Sequence, residues 1–123
     1  MGDNGVALTD AGTVSILGGM INSTTGDGIH SSDTNLTVTG VTIGGTGTIT
    51  GDGIEIANSG GLTHTVSLNN NTITANASGI STRDSGTIAG ELLLTLDGNT
   101  LRATNSGMLG LDISGGELKP RLR

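Results

Sequence analysis

A pattern recurring every 23 to 28 residues limits what this chain can fold into more than any other feature. The triplets Asn4-Gly5-Val6, Asp27-Gly28-Ile29, Asp52-Gly53-Ile54, Ser78-Gly79-Ile80 and Ser106-Gly107-Met108 each join a short polar residue, a glycine and an apolar residue. Their glycines lie 23, 25, 26 and 28 residues apart. Between the triplets stand aliphatic pairs two residues apart: Val14/Ile16, Leu36/Val38, Val66/Leu68 and Leu94/Leu96. Five residues after each pair comes another aliphatic: Ile21, Ile43, Ile73 and Leu101. Alternation with a period of two describes strands with one buried face. The Gly, Asn, Asp and Ser between them are turn residues. Each unit therefore predicts three short strands, one rung of a coil, and a fixed repeat of such units is the signature of a solenoid. The expected fold is all-β, a right-handed parallel β-helix of four to five rungs.

In that register, equivalent residues stack about 4.8 Å apart. The inward columns are almost all Ile, Leu and Val. The outward positions Ser15, Thr37, Ser67 and Thr95, and then Thr42, Thr72 and Thr100, read as hydroxyl ladders, with Thr serving as a polar residue of good strand propensity. Gly5, Gly28, Gly53, Gly79 and Gly107 are expected at structural turns. So are Asn70, Asn71 and Asn99, whose stacked amides can tie neighbouring rungs together. Residues 1–115 form the expected β-helix domain, and 116–123 a basic C-terminal tail or crude cap.

Composition then excludes several chemistries. The 123 residues include 23 Gly but no Phe, Tyr, Trp or Cys. Without aromatics there is no platform for stacking a sugar or a base. Without Cys there are no disulfides, thiolate zinc sites or cysteine nucleophiles. The net charge is −6, and three of the five bases, Lys119, Arg121 and Arg123, fall in the last five residues. So acidic a body repels nucleic acid and anionic lipid. Runs such as Leu92-Leu93-Leu94 are far too short to insert in a bilayer. Neither nucleic-acid binding nor direct membrane insertion is expected.

The recurring Gly-Asp-Gly-Ile (26–29 and 51–54) and the run Asn-Asn-Asn-Thr-Ile-Thr (69–74) resemble the repeats of right-handed parallel β-helix proteins of bacterial surface and secreted type, autotransporter passengers and adhesins among them. The resemblance covers roughly residues 4–115. It implies an extracellular or cell-surface location and a structural or interaction role toward a host or surface ligand that the sequence does not specify. The fold also hosts pectate lyases, polygalacturonases and tailspikes, so it does not by itself choose a function. No capping repeat is evident. The chain thus reads as a fragment of a longer solenoid or as a module that self-associates by stacking end to end through open rung edges.

One constellation carries candidate chemistry. Asp27 and Asp52 occupy one position in adjacent rungs, and so do His30 and Glu55 three residues further on. Stacked carboxylates with a nearby imidazole are a candidate divalent-cation set, calcium being the ion considered. A carboxylate pair also suits acid/base work on a glycosidic bond, which the polygalacturonase resemblance places on this general face. The competing reading is structural: Asp before Gly bonds its own turn, and an exposed His–Glu pair is commonplace. Thr-x-Thr arrays such as Thr72-Ile73-Thr74 suggest a water-ordering face, but the third-strand columns pair both Thr residues in one rung only.

The expected function is therefore that of a non-catalytic structural segment. The alternatives are a carbohydrate-active or calcium-binding module using Asp27, His30, Asp52 and Glu55, and a self-assembling module.

Overall fold

The structure is a computed structural model that describes residues 3–58, 62–84, 92–104, 111–115 and 118–122. Those residues form twelve strands: β1 (Val6–Leu17), β2 (Met20–Ile21), β3 (Ile29–Thr39), β4 (Thr42–Ile43), β5 (Ile54–Asn58), β6 (His64–Asn69), β7 (Thr72–Ala75), β8 (Ile80–Asp84), β9 (Leu92–Asp97), β10 (Thr100–Ala103), β11 (Leu111–Gly115) and β12 (Leu118–Leu122). Among the described residues there is no helix, and so none long and apolar enough to cross a membrane. Every strand pairing is parallel. Parallel pairing between residues 22 or more positions apart is what a coil produces, because each strand meets its equivalent one turn later.

The expected columns are the observed ones. On the first side Val6, Ile29, Ile54 and Ile80 stand in register. On the second side one column runs Val14, Leu36, Val66 and Leu94, and the next runs Ile16, Val38, Leu68 and Leu96. On the third side Ile21, Ile43, Ile73 and Leu101 align. From Ile29 to Leu96 these side chains are buried, joined by Val41, Ile49, Ala75 and Leu92. Burial of one such side chain contributes roughly 1.5–3 kcal/mol. A narrow aliphatic stack is therefore a sufficient core without aromatics. Met108, also expected inward, lies outside the described residues.

Two features depart from the expected coil. It makes about three turns, slightly fewer than the four to five rungs expected. The outermost layers add strands partnered on one side: β1 pairs with β3, while β11 and β12 pair with β8 and β9. In the first two layers the first and second sides are also not separate short strands. β1 and β3 run through the corner as single bent strands of 12 and 11 residues. The bend is made by Asp10 and Asp33, each at φ 50°, with a register shift between Thr9 and Gly12. Aspartate tolerates this left-handed region better than most residues, so one residue turns the corner without ending the strand. The next corner, before the third side, places Gly18, Gly40, Asn70 and Gly98 at φ between 54° and 69°. All four are Gly or Asn, which the left-handed conformation favours.

The segment 118–122, expected to belong to a tail or cap, pairs along β9 as β12, with Pro120 opposite Leu94.

Candidate functional site

The first-side turns carry a ladder of side-chain-to-backbone bonds. Asp27 N–H donates to Asn4 Oδ1 at 2.8 Å, Asp52 N–H to Asp27 Oδ1 at 2.8 Å, and Ser78 N–H to Asp52 Oδ1 at 2.8 Å. Each turn residue thus accepts from its own equivalent one rung on. This is why Asn, Asp, Asp and Ser head the repeats: three of them supply a short acceptor, and the last receives one.

The glycines that follow are required by space. A Cβ on Gly28 would lie 2.5 Å from Gly53 O and 2.6 Å from Ile43 Cγ2. One on Gly5 would lie 2.7 Å from both Gly28 O and Ile21 Cγ2. Here the chain passes directly over the third-side isoleucine, and only hydrogen fits. The turn assigned to Gly107 lies outside the described residues.

From this ladder the structure gathers three of the four predicted residues. The Asp27 carboxylate, fixed through Oδ1 by the Asp52 amide, presents Oδ2 to His30 Nδ1 at 3.3 Å. His30 on β3 stands in register with Glu55 on β5, and Glu55 Oε2 lies 3.4 Å from the same Nδ1. One donor atom from each of Asp27, His30 and Glu55 falls within 4.8 Å of the other two. Asp52 is not among them; its Oδ1 accepts the Ser78 N–H in the next turn.

Arg83 completes the cluster, with its guanidinium 3.2 Å from Glu55 Oε1. Arg83 is not among the residues that the sequence assigns to this cluster. The register supplies the missing signal: Arg83 pairs with Ala57 on the outward column beside Glu55, which makes it a diagonal neighbour. Burial raises the Glu55 carboxyl above its ordinary value, helped by its hydrogen bond to Asp27 and the Asp27 charge. His30 and Arg83 oppose the rise without overcoming it. Three of the groups are only partly exposed (His30 31%, Asp27 14%, Glu55 13%), and Arg83 reaches further into solvent.

At the second-to-third corner Asn71, which is buried, and Asn99, which is partly buried, form an amide ladder. Asn71 Oδ1 accepts from Val41 N–H at 2.9 Å, and its Nδ2 donates to Val38 O and to Asn99 Oδ1, both at 3.0 Å. Asn99 Nδ2 repeats the pattern on Leu68 O at 2.7 Å. Asn70 instead supplies the left-handed φ of that turn.

Sequence reasoning missed a polar corner inside the coil. His64 Nδ1 donates to Asn58 Oδ1 at 2.6 Å, with both residues buried. The sign was available in the register, since His64 stands opposite the buried Leu92. The water-ordering array is further shortened, because β2 and β4 are only two residues long. A groove of about 610 Å³ lies between the third side and the next first side, lined by Asp3, Asn4, Thr24, Thr25, Thr48 and Thr50 among others. Thr24 and Thr25 spend their hydroxyls there on the backbone of Gly26 and Asp3.

Comparison with family models, with curated proteins and with solved structures gives no match, so the functional reading rests on the chemistry of these side chains.

Proposed function

We propose that the chain is a rigid structural and interaction segment, a β-solenoid spacer or adhesin-like scaffold of a bacterial surface or secreted protein, with no catalytic step of its own. The carrying observation is how its polar side chains are used. Asn4, Asp27, Asp52, Asn71 and Asn99 all bond groups one rung away. Continuous aliphatic columns with such ladders resist bending and shear, because each rung is tied to its neighbours by both backbone and side chains. The repeats' resemblance to surface and secreted β-helices supports the location.

The discriminating experiment incubates the protein with polygalacturonate and related polysaccharides. Release of reducing ends or unsaturated product, lost in both Asp27→Asn and Glu55→Gln, would overturn the scaffold reading in favour of a lyase or hydrolase.

A second reading is self-association through the first-layer end. Val6, Leu8, Val14, Ile16 and Ile21 are only partly buried there, whereas their equivalents Ile29, Leu36, Val38 and Ile43 are sealed. Pro120, lacking an N–H, blunts the strand edge at the other end. Light scattering over a wide concentration range tests this, and a constant monomer mass ends the reading.

A further inference from the structure

The meeting of an imidazole and two carboxylates from adjacent rungs is not explained by the scaffold alone. His30 Nδ1 lies 3.3 Å from Asp27 Oδ2 and 3.4 Å from Glu55 Oε2. A single proton on Nδ1 serves two acceptors poorly, whereas a single cation serves all three lone pairs. We propose that Asp27, His30 and Glu55 form a binding site for a transition-metal dication of the zinc type, which staples the second and third layers of the coil.

Three observations carry this. The first is geometry. Metal–ligand bonds of about 2.0–2.1 Å in a tetrahedron place the ligand atoms about 3.3 Å apart. The two separations to Nδ1 match that edge, and all three donor atoms lie within 4.8 Å of one another.

The second is preorganisation. The Asp52 amide holds Asp27 Oδ1 and leaves Oδ2 turned to the imidazole. Arg83 holds Glu55 Oε1 and leaves Oε2 turned the same way. Outer partners of this kind orient metal ligands. The strand register fixes His30 opposite Glu55 independently of any ion.

The third is ligand chemistry. A nitrogen donor with two carboxylates suits Zn²⁺, Co²⁺ or Mn²⁺ over calcium, which takes oxygen ligands in larger number. Asp52 lies outside the cluster, which leaves two carboxylates for an ion that takes about six to eight oxygens. Three protein ligands leave a fourth position for water, and the 31% exposure of the His30 side chain leaves a way in.

This proposal stands apart from the scaffold reading, since the coil's columns and ladders form without the ion. The test uses the whole 123-residue chain, freed of metal by chelation. Calorimetric titration with Zn²⁺ is expected to show one ion per chain and a rise in Tm with zinc concentration, as ligand linkage requires. Co²⁺ should give the visible absorption of a low-coordinate site. Loss of even an outer partner commonly weakens metal binding about 10- to 100-fold, so His30→Ala and Glu55→Gln should each weaken Zn²⁺ by at least about 100-fold. Both variants should keep the metal-free strand spectrum and a cooperative melt. The proposal is overturned if Zn²⁺ leaves Tm unchanged, if His30→Ala retains the zinc response, or if Ca²⁺ binds as tightly as Zn²⁺.

Discussion

The carboxylate of Asp27 accepts the backbone N–H of Asp52, its own equivalent one rung later, at 2.8 Å. Leaving a part-buried amide unmet costs about 1–3 kcal/mol, so Asp27→Ala is expected to destabilise the fold by about that amount. Asp27→Asn keeps the acceptor, as Asn4 does natively one rung earlier, and should recover most of the loss. Urea denaturation of the three proteins checks this; equal midpoints for the Ala and Asn variants would mean that the ladder bond contributes nothing.

Asn71 does more per side chain, serving Val41 N–H, Val38 O and Asn99 Oδ1 from a buried position. Asn71→Ala strands several of these groups at once and should cost about 3 kcal/mol. Asn71→Asp keeps the acceptor for Val41 but sets a buried carboxylate oxygen against the Val38 and Asn99 oxygens, so it should be no milder than Ala. Thermal melts of the three proteins check this; an Asp variant that melts with wild type would mean that the two donated bonds contribute nothing.

Two glycines separate steric need from backbone need. Gly28 has no room for a Cβ against Gly53 O and Ile43 Cγ2, whereas Gly12 has open space but φ +75°. Gly12→Ala should cost about 1–2 kcal/mol for the left-handed conformation. Gly28→Ala should cost on the order of 3 kcal/mol or more, because backbone of the next rung must shift. Denaturation midpoints showing Gly28→Ala to be the milder change would contradict the close approach.

Glu55 makes stability depend on pH in a direction opposite to that of a simple salt-bridged carboxylate. Its folded pKa lies above the ordinary value of 4.5, from burial and the Asp27 carboxyl. Its contribution is fully present below the unfolded value and is lost as pH rises through the folded one. Wild type should therefore lose stability relative to Glu55→Gln as pH rises upward from about 4.5. Denaturation at a series of pH values from 4 to 7, without added metal, checks the sign of that difference.

Much of the fold was legible because an aliphatic five residues after each pair repeats four times without error, and one slip would turn a whole strand inside out. Val14, Leu36, Val66 and Leu94 fall in one column for that reason. The candidate site was legible as far as same-column stacking reached: Asp27 over Asp52, and His30 over Glu55. Diagonal relations were not. Arg83 reaches Glu55 from the neighbouring column, a matter of side-chain length and direction that no repeat alignment encodes. Asn58, at the end of β5, and His64, at the start of β6, meet across a corner, a relation that column stacking does not encode.

The sequence by itself determined that this chain coils, which residues face inward, and which turn residues stack, because period-two alternation and a constant offset admit one register. Only the tertiary structure decided that β1 and β3 pass their corners unbroken at Asp10 and Asp33, that Gly28 is a matter of space, and that Asp52 caps a turn while Asp27 turns its second oxygen to His30. The physical reason is the same in each case. Hydrophobic pattern sets which face is buried, but the direction of each polar group is set by donors and acceptors one rung away, which are neighbours only once the coil has closed.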